Sequence, residues 1–108
     1  MRYELFSRLY DEAGEYDDLE LYIAERGWQD WMDNYQEADV ITGLLEKIYT
    51  FAKSDFKTLR IQSGYGIKAF SLAYGIPERT VQAWEYGERA PADYLTKLLA
   101  YTMLPSVK

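Results

Sequence analysis

The run Phe70-Ser71-Leu72-Ala73-Tyr74-Gly75-Ile76-Pro77-Glu78-Arg79-Thr80-Val81-Gln82-Ala83-Trp84-Glu85-Tyr86-Gly87 carries the sharpest punctuation in this chain of 108 residues. Ile67, Phe70, Ala73 and Tyr74 recur at helical intervals, so residues 67–74 are expected to form a short helix with these four spaced for burial. Gly75-Ile76-Pro77 then reads as a tight turn, with Pro77 at or near the first position of a new helix. The spacing predicts that helix over 78–86, with Val81 and Trp84 turned inward and Gly87 ending it. Two short helices joined by a glycine-bearing turn form the helix-turn-helix arrangement, in which the second helix is free to enter a groove.

Working outward, Gly64 and Gly66 open the turn before this run. Asp55 or Ser54 is positioned to cap a helix through Phe56, Leu59, Arg60 and Ile61. On the far side Pro91 opens a last helix with Leu95, Leu98, Leu99 and Thr102 on one side, and Pro105 closes it. The first half of the chain is also helical in pattern. Tyr3, Phe6, Leu9, Tyr10 and Ala13 mark a helix over 2–12, and Gly14 interrupts it. Asp17 is the expected cap of a helix over 18–26, which Gly27 ends. Trp28, Trp31, Met32 and Tyr35 follow at i, i+3, i+4, i+7, predicting a helix over 28–36 whose aromatic stripe packs inward. Val40, Ile41, Leu44, Leu45, Ile48, Phe51 and Ala52 form the strongest amphipathic stretch, over 39–53. No strand alternation and no internal repeat interrupts this pattern. The fold class expected is therefore all-α.

Composition removes several function classes. There is no Cys and no His, so disulfides, thiol catalysis, Ser–His and Cys–His catalysis and the usual zinc, haem and iron–sulfur ligand sets are excluded. The acidic cluster Glu15-Tyr16-Asp17-Asp18-Leu19-Glu20 lacks the spacing and central glycine of a calcium loop. It reads as a loop followed by a helix start, where acids favour the macrodipole. No cofactor, no metal and no enzymatic activity is expected. No apolar run reaches the ~20 residues needed to span a bilayer. No signal-peptide stretch follows Met1-Arg2-Tyr3-Glu4-Leu5-Phe6. The expectation is a soluble, cytoplasmic protein with no membrane partner.

The net charge of −6 is unevenly placed. Residues 1–53 hold 13 acidic and 5 basic groups, a balance of −8, whereas residues 54–108 hold 5 acidic and 7 basic, a balance of +2. This divides the chain into an acidic helical extension, 1–53, and a near-neutral second half, 54–108. A polyanion responds to the local patch as well as to the total. Each half alone lies near the lower size limit for independent folding. That favours one helical unit in which the 39–53 helix docks onto the bundle of the second half.

Segment 56–104 resembles the Xre/Cro, or phage-repressor-like, helix-turn-helix family. The matching residues are Leu59-Arg60, Ser63-Gly64, Phe70 to Pro77, Arg79-Thr80-Val81-Gln82-Ala83-Trp84-Glu85, Gly87 and Pro91. The resemblance implies a DNA-reading bundle with Pro77–Tyr86 as its recognition helix. Glu78, Arg79 and Thr80 would face base edges or phosphates, with Gln82 and Ala83 one turn on. Arg79 can donate two bonds to guanine, and Glu78 can accept from cytosine. Lys68 and Arg89 would neutralise backbone phosphates. In the family the arginine of the first helix pairs with the glutamate closing the recognition helix, which maps here onto Arg60 and Glu85. A mostly buried ion pair is expected there, so Arg60 is not counted as a DNA contact. Phe70, Ile76, Val81 and Trp84 are expected in the core.

The chain departs from the family at three places. Gly66 and Ile67 stand where a polar cap and a glutamine often start the helix before the turn. Ser71 replaces an alanine usually packed against that turn, and Glu88 intervenes before Arg89. The function implied is a sequence-specific DNA-binding transcriptional regulator, repressor-like, of bacterial or mobile-element (phage) origin. Three or four phosphate contacts per monomer are too few for tight binding, so a homodimer on palindromic double-stranded DNA is expected, with half-sites about 34 Å apart. The last helix (Tyr94, Tyr101, Met103, Leu104) and the aromatic N-terminal helices are the candidate dimer surfaces. The alternative is an antitoxin-like or inhibitor module. It would use the acidic half against a protein partner, with DNA binding weakened or lost.

Overall fold

The computed structural model of the chain describes residues 1–104. These fall into two compact units, one made of Met1–Lys53 with Leu104 and the other of Ser54–Met103. Both are helical, and no strand occurs among the described residues. Pro105, expected to close the last helix, lies outside them. No helix of the described residues is long and apolar enough to cross a membrane.

The first unit contains α1 (Tyr3–Ala13), α2 (Leu19–Ala24), a single 3-10 turn (Asp30–Asn34) and α3 (Ala38–Lys53). α1 buries Phe6, Leu9 and Ala13, while Tyr3 and Tyr10 are only half-buried. α3 places Ile41, Leu44, Leu45, Ile48 and Phe51 on one buried face. It packs on α1 and α2 as part of this unit. Tyr22 is the hub of the unit. It is fully buried, and its hydroxyl donates to the Leu9 carbonyl at 2.9 Å. Burial pushes its pKa up to about 12, against the opposing field of Arg26. The Arg26 guanidinium lies over the Tyr22 ring, 4.2 Å from its centroid, and pairs with Glu12.

Two local expectations are corrected here. The cap of α2 is Asp18, whose carboxylate accepts from the backbone N–H of Glu20 at 2.7 Å, so the helix starts one residue later than Asp17 implies. The segment 28–36 is not an α-helix. Gly27 takes a left-handed φ of 65°, and only Asp30–Asn34 winds, as a 3-10 turn. Side-chain bonds compete with the backbone ladder in this stretch. The Trp28 indole donates to Asp33 at 2.9 Å and the Trp31 indole to Gln29 at 2.6 Å. Of the expected inward stripe only Met32 is buried. Trp31 and Tyr35 are half-buried, and Trp28 is 66% exposed.

The second unit contains α4 (Phe56–Ser63), α5 (Ile67–Tyr74), α6 (Glu78–Glu85) and α7 (Asp93–Met103). α6 packs on both α4 and α5, and α7 on α4. The core is aromatic at its centre. The Phe56 ring meets Phe70 edge-on at 5.7 Å and Trp84 at 5.1 Å. Leu59, Phe70, Val81, Leu99 and Ala100 complete it. Trp84 meets Phe56 but stays half-buried, and Ile76, also expected in the core, is half-buried. Ala73, spaced for burial in the sequence, is exposed, as are Thr102 and Leu98.

Asp55, not Ser54, caps α4, accepting from the Thr58 N–H at 2.8 Å. Hydrogen bonding by the Thr58 side chain, and then by its backbone N–H, holds the Asp55 carboxyl below its ordinary pKa. A carboxyl depressed in the folded state stabilises above its unfolded pKa, near 3.9, and loses that contribution as pH falls through its folded value. Asp55→Ala should therefore cost about 1 kcal/mol at neutral pH. Denaturation of both proteins followed by circular dichroism should show the gap closing as pH drops below about 4.

Candidate nucleic-acid interface

The geometry of α5 and α6 is fixed by how each helix ends. Gly75 follows α5 with φ 67°, and Gly87 follows the last residues of α6 with φ 79°, both in the left-handed region. Glycine enters that region without the Cβ penalty, which lets the chain fold back on its own helix end. The Ile76 N–H then reaches the Ser71 carbonyl at 3.1 Å, and the Glu88 N–H reaches the Ala83 carbonyl at 3.0 Å. These are matching six-to-one closures of the Schellman type. Ser71 adds a bond of its own, its hydroxyl donating to the Ile76 carbonyl. The serine that stands in place of alanine thus ties α5 to the turn.

Pro77 precedes α6, and its carbonyl accepts from the N–H groups of Thr80 and Val81. Val81 is fully buried. At the other end of the helix the Glu85 side chain is only 3% exposed and the Arg60 side chain 12%. The pair is bidentate. Arg60 Nε donates to one Glu85 oxygen and Nη2 to the other, the latter at 3.0 Å. Its remaining Nη1 donates to the Tyr65 carbonyl at 2.9 Å. Hydrogen bonding to Glu85 holds the Arg60 pKa above its ordinary value, against the opposing effect of burial. The guanidinium is therefore committed to Glu85 on α6, as expected, and to the Tyr65 carbonyl ahead of α5, and is not offered to a ligand.

With Val81 and Glu85 facing inward, helical spacing puts Glu78, Gln82 and Tyr86 in one line, with Arg79 beside it. Glu78, Arg79 and Gln82 are all exposed. Thr80 lies off this line and is half-buried. Lys68, in the first turn of α5, and Arg89, beyond Gly87, are exposed.

Ala83 is a correction. It was expected one turn on from Arg79 on the outer face, but it is 6% exposed. The segment after Gly87 returns onto it, with the N–H groups of Glu88 and Arg89 both directed at its carbonyl. A methyl group has no reach past that cover. Tyr86 is the residue the sequence reading missed. It is 72% exposed and follows Gln82 by four positions. Its place in the i, i+4, i+8 series from Glu78 was readable in the sequence, but the position reads as a helix end and not as a contact.

Gly66 occupies the N-cap of α5 with no side-chain hydrogen bond, so the polar cap absent from the sequence is not replaced by a neighbour. Among the described residues no group of three or more acidic side chains converges in a way that could hold a metal ion.

Arg60→Ala would leave the Glu85 carboxylate buried without its partner. The loss should be roughly 3–5 kcal/mol in denaturant unfolding. Replacing both residues together, Arg60→Met with Glu85→Leu, should recover most of it, because no lone charge remains.

No protein-family model, no curated protein and no solved structure matches this chain at a significant level.

Proposed function

We propose that the chain is a sequence-specific DNA-binding transcriptional regulator, repressor-like and of bacterial or mobile-element origin. The observation that carries this reading is the division of labour on α6. One side is locked inward by Val81 and the Arg60–Glu85 pair, and the other presents Glu78, Arg79 and Gln82 to solvent. A short helix held in fixed phase, with donors and acceptors along its free side, is what base-edge readout in a major groove requires. Arg79 would donate to guanine O6 and N7, Gln82 would suit adenine, and Glu78 would accept from cytosine N4. Lys68 and Arg89 would hold backbone phosphates and set register without reading sequence. Two copies on a palindrome would double the contact set.

One observation favours a second reading. The −8 half exposes large apolar side chains among its acids, Leu21 at 50% and Trp28 at 66%. An anionic surface with exposed apolar anchors suits a cationic protein partner. In that reading the chain is an antitoxin-like or inhibitor module.

Arg79→Ala separates the two. In the regulator reading it should abolish binding to a palindrome in the protein's own promoter, measured by fluorescence anisotropy at ~150 mM salt. The melting temperature should stay unchanged, because Arg79 is exposed. In the interaction reading the unaltered protein should retain no duplex above nonspecific level, and charge reversal at Asp17, Asp18 and Glu20 should release a captured protein.

A further inference from the structure

The line of residues that α6 turns outward is unusual in charge. Glu78 and Arg79 cancel, Gln82 and Tyr86 are neutral, and just beyond the helix Glu88 and Arg89 cancel again. A face of this kind cannot hold a polyanion mainly by counterion release, which scales with the number of cations placed on phosphates. Short-range hydrogen bonds must do what charge does not. Tyr86 is the group placed for that. Its ring is 72% exposed, and its hydroxyl makes no hydrogen bond within the described residues. An exposed tyrosine with a free hydroxyl has both a donor and a flat apolar surface available. Gly87 turns the chain away directly after it, so the ring is left uncovered.

Tyr86 lies eight residues beyond Glu78, about 12 Å along the helix axis at 1.5 Å per residue. That is about three to four base-pair steps, so the far end of the helix would meet the sugar-phosphate wall and not the base edges that its N-terminal residues reach. Resting on the regulator reading, we infer that Tyr86 is a neutral phosphate anchor: its hydroxyl donates to a backbone oxygen and fixes the far end of α6 on the duplex. The chain then places itself on DNA partly by a bond whose strength does not depend on salt. Arg89, two residues past Gly87, is the charged counterpart against which it can be measured.

The test starts from a duplex enriched out of a random pool by the full-length protein. Equilibrium binding is then measured between about 50 and 200 mM salt for the unaltered chain, Tyr86→Phe and Arg89→Ala. Tyr86→Phe keeps the ring and removes only the donor. It should weaken binding about tenfold at every salt concentration, with the salt slope unchanged. Arg89→Ala should instead reduce the slope by about 0.9. A methylphosphonate scan of the duplex should find one phosphate whose neutralisation weakens the unaltered chain and leaves Tyr86→Phe unaffected. Equal binding by Tyr86→Phe and the unaltered chain would overturn the anchor and leave the regulator reading standing. A selection that enriches no duplex would overturn both.

Discussion

The Glu85 carboxylate, 3% exposed, is the constraint around which the second unit is arranged. A carboxylate taken that far out of water is unfavourable unless a cation meets it with matched geometry. Arg60 does so with two parallel donors, the arrangement in which a guanidinium binds a carboxylate best. The pair joins α4 to the last turn of α6, and the third nitrogen reaches the Tyr65 carbonyl just ahead of α5. Two helices and the loop that precedes α5 are thereby referred to one charged group. The rotation of α6 about its own axis follows, since Glu85 and Val81 inward leaves Glu78, Gln82 and Tyr86 outward. The same bond that stabilises the unit therefore selects which side chains are free for recognition.

The turn between α5 and α6 shows how a departure from a pattern can be absorbed. An alanine at position 71 would only fill space. Ser71 adds a bond to the Ile76 carbonyl, alongside the backbone closure from the Ile76 N–H to its own carbonyl. The turn is held from both directions by one residue. Gly66 is the opposite case. It supplies the extended backbone that a cap needs but no side-chain acceptor, so the first turn of α5 keeps N–H groups without a side-chain partner. Of these two positions, the one at the turn reinforces the unit and the one at the N-cap does not.

The helices of the second unit were legible because their signals agree. Apolar spacing, Asp55 as cap, and glycine at positions 64, 75 and 87 all point to the same boundaries, and consistency of that kind is what makes a sequence readable. The 28–36 segment misled for the converse reason. Its aromatic spacing is helical, yet Gly27, Asp30, Asp33 and Asn34 are weak helix formers, and the indole and amide side chains find partners locally. Of the four residues that periodicity turned inward only Met32 is buried, and the backbone that buries it is a 3-10 turn, not an α-helix. Ala83 and Tyr86 were missed through reach rather than phase. A methyl on the outer side of a helix is easily covered by the returning chain, whereas a phenol at the helix end projects beyond it. Neither outcome follows from spacing, because both depend on where the chain goes after Gly87.

Under the regulator reading, the charge distribution acts on specificity more than on affinity. Nonspecific binding to DNA is almost wholly electrostatic and sequence-independent. A chain of net charge −6 gains little from that term, and any net repulsion is screened beyond the Debye length of about 8–10 Å. Base-edge contacts by Arg79 and Gln82 are short-ranged and survive that screening. Removing the long-range attraction therefore lowers the nonspecific constant more than the specific one. What governs occupancy among the many competing sites of a genome is the ratio of the two constants, not the tighter one alone. An acidic half and a charge-neutral reading face are then two parts of one device, in which weaker encounter is exchanged for a larger difference between right and wrong sequence.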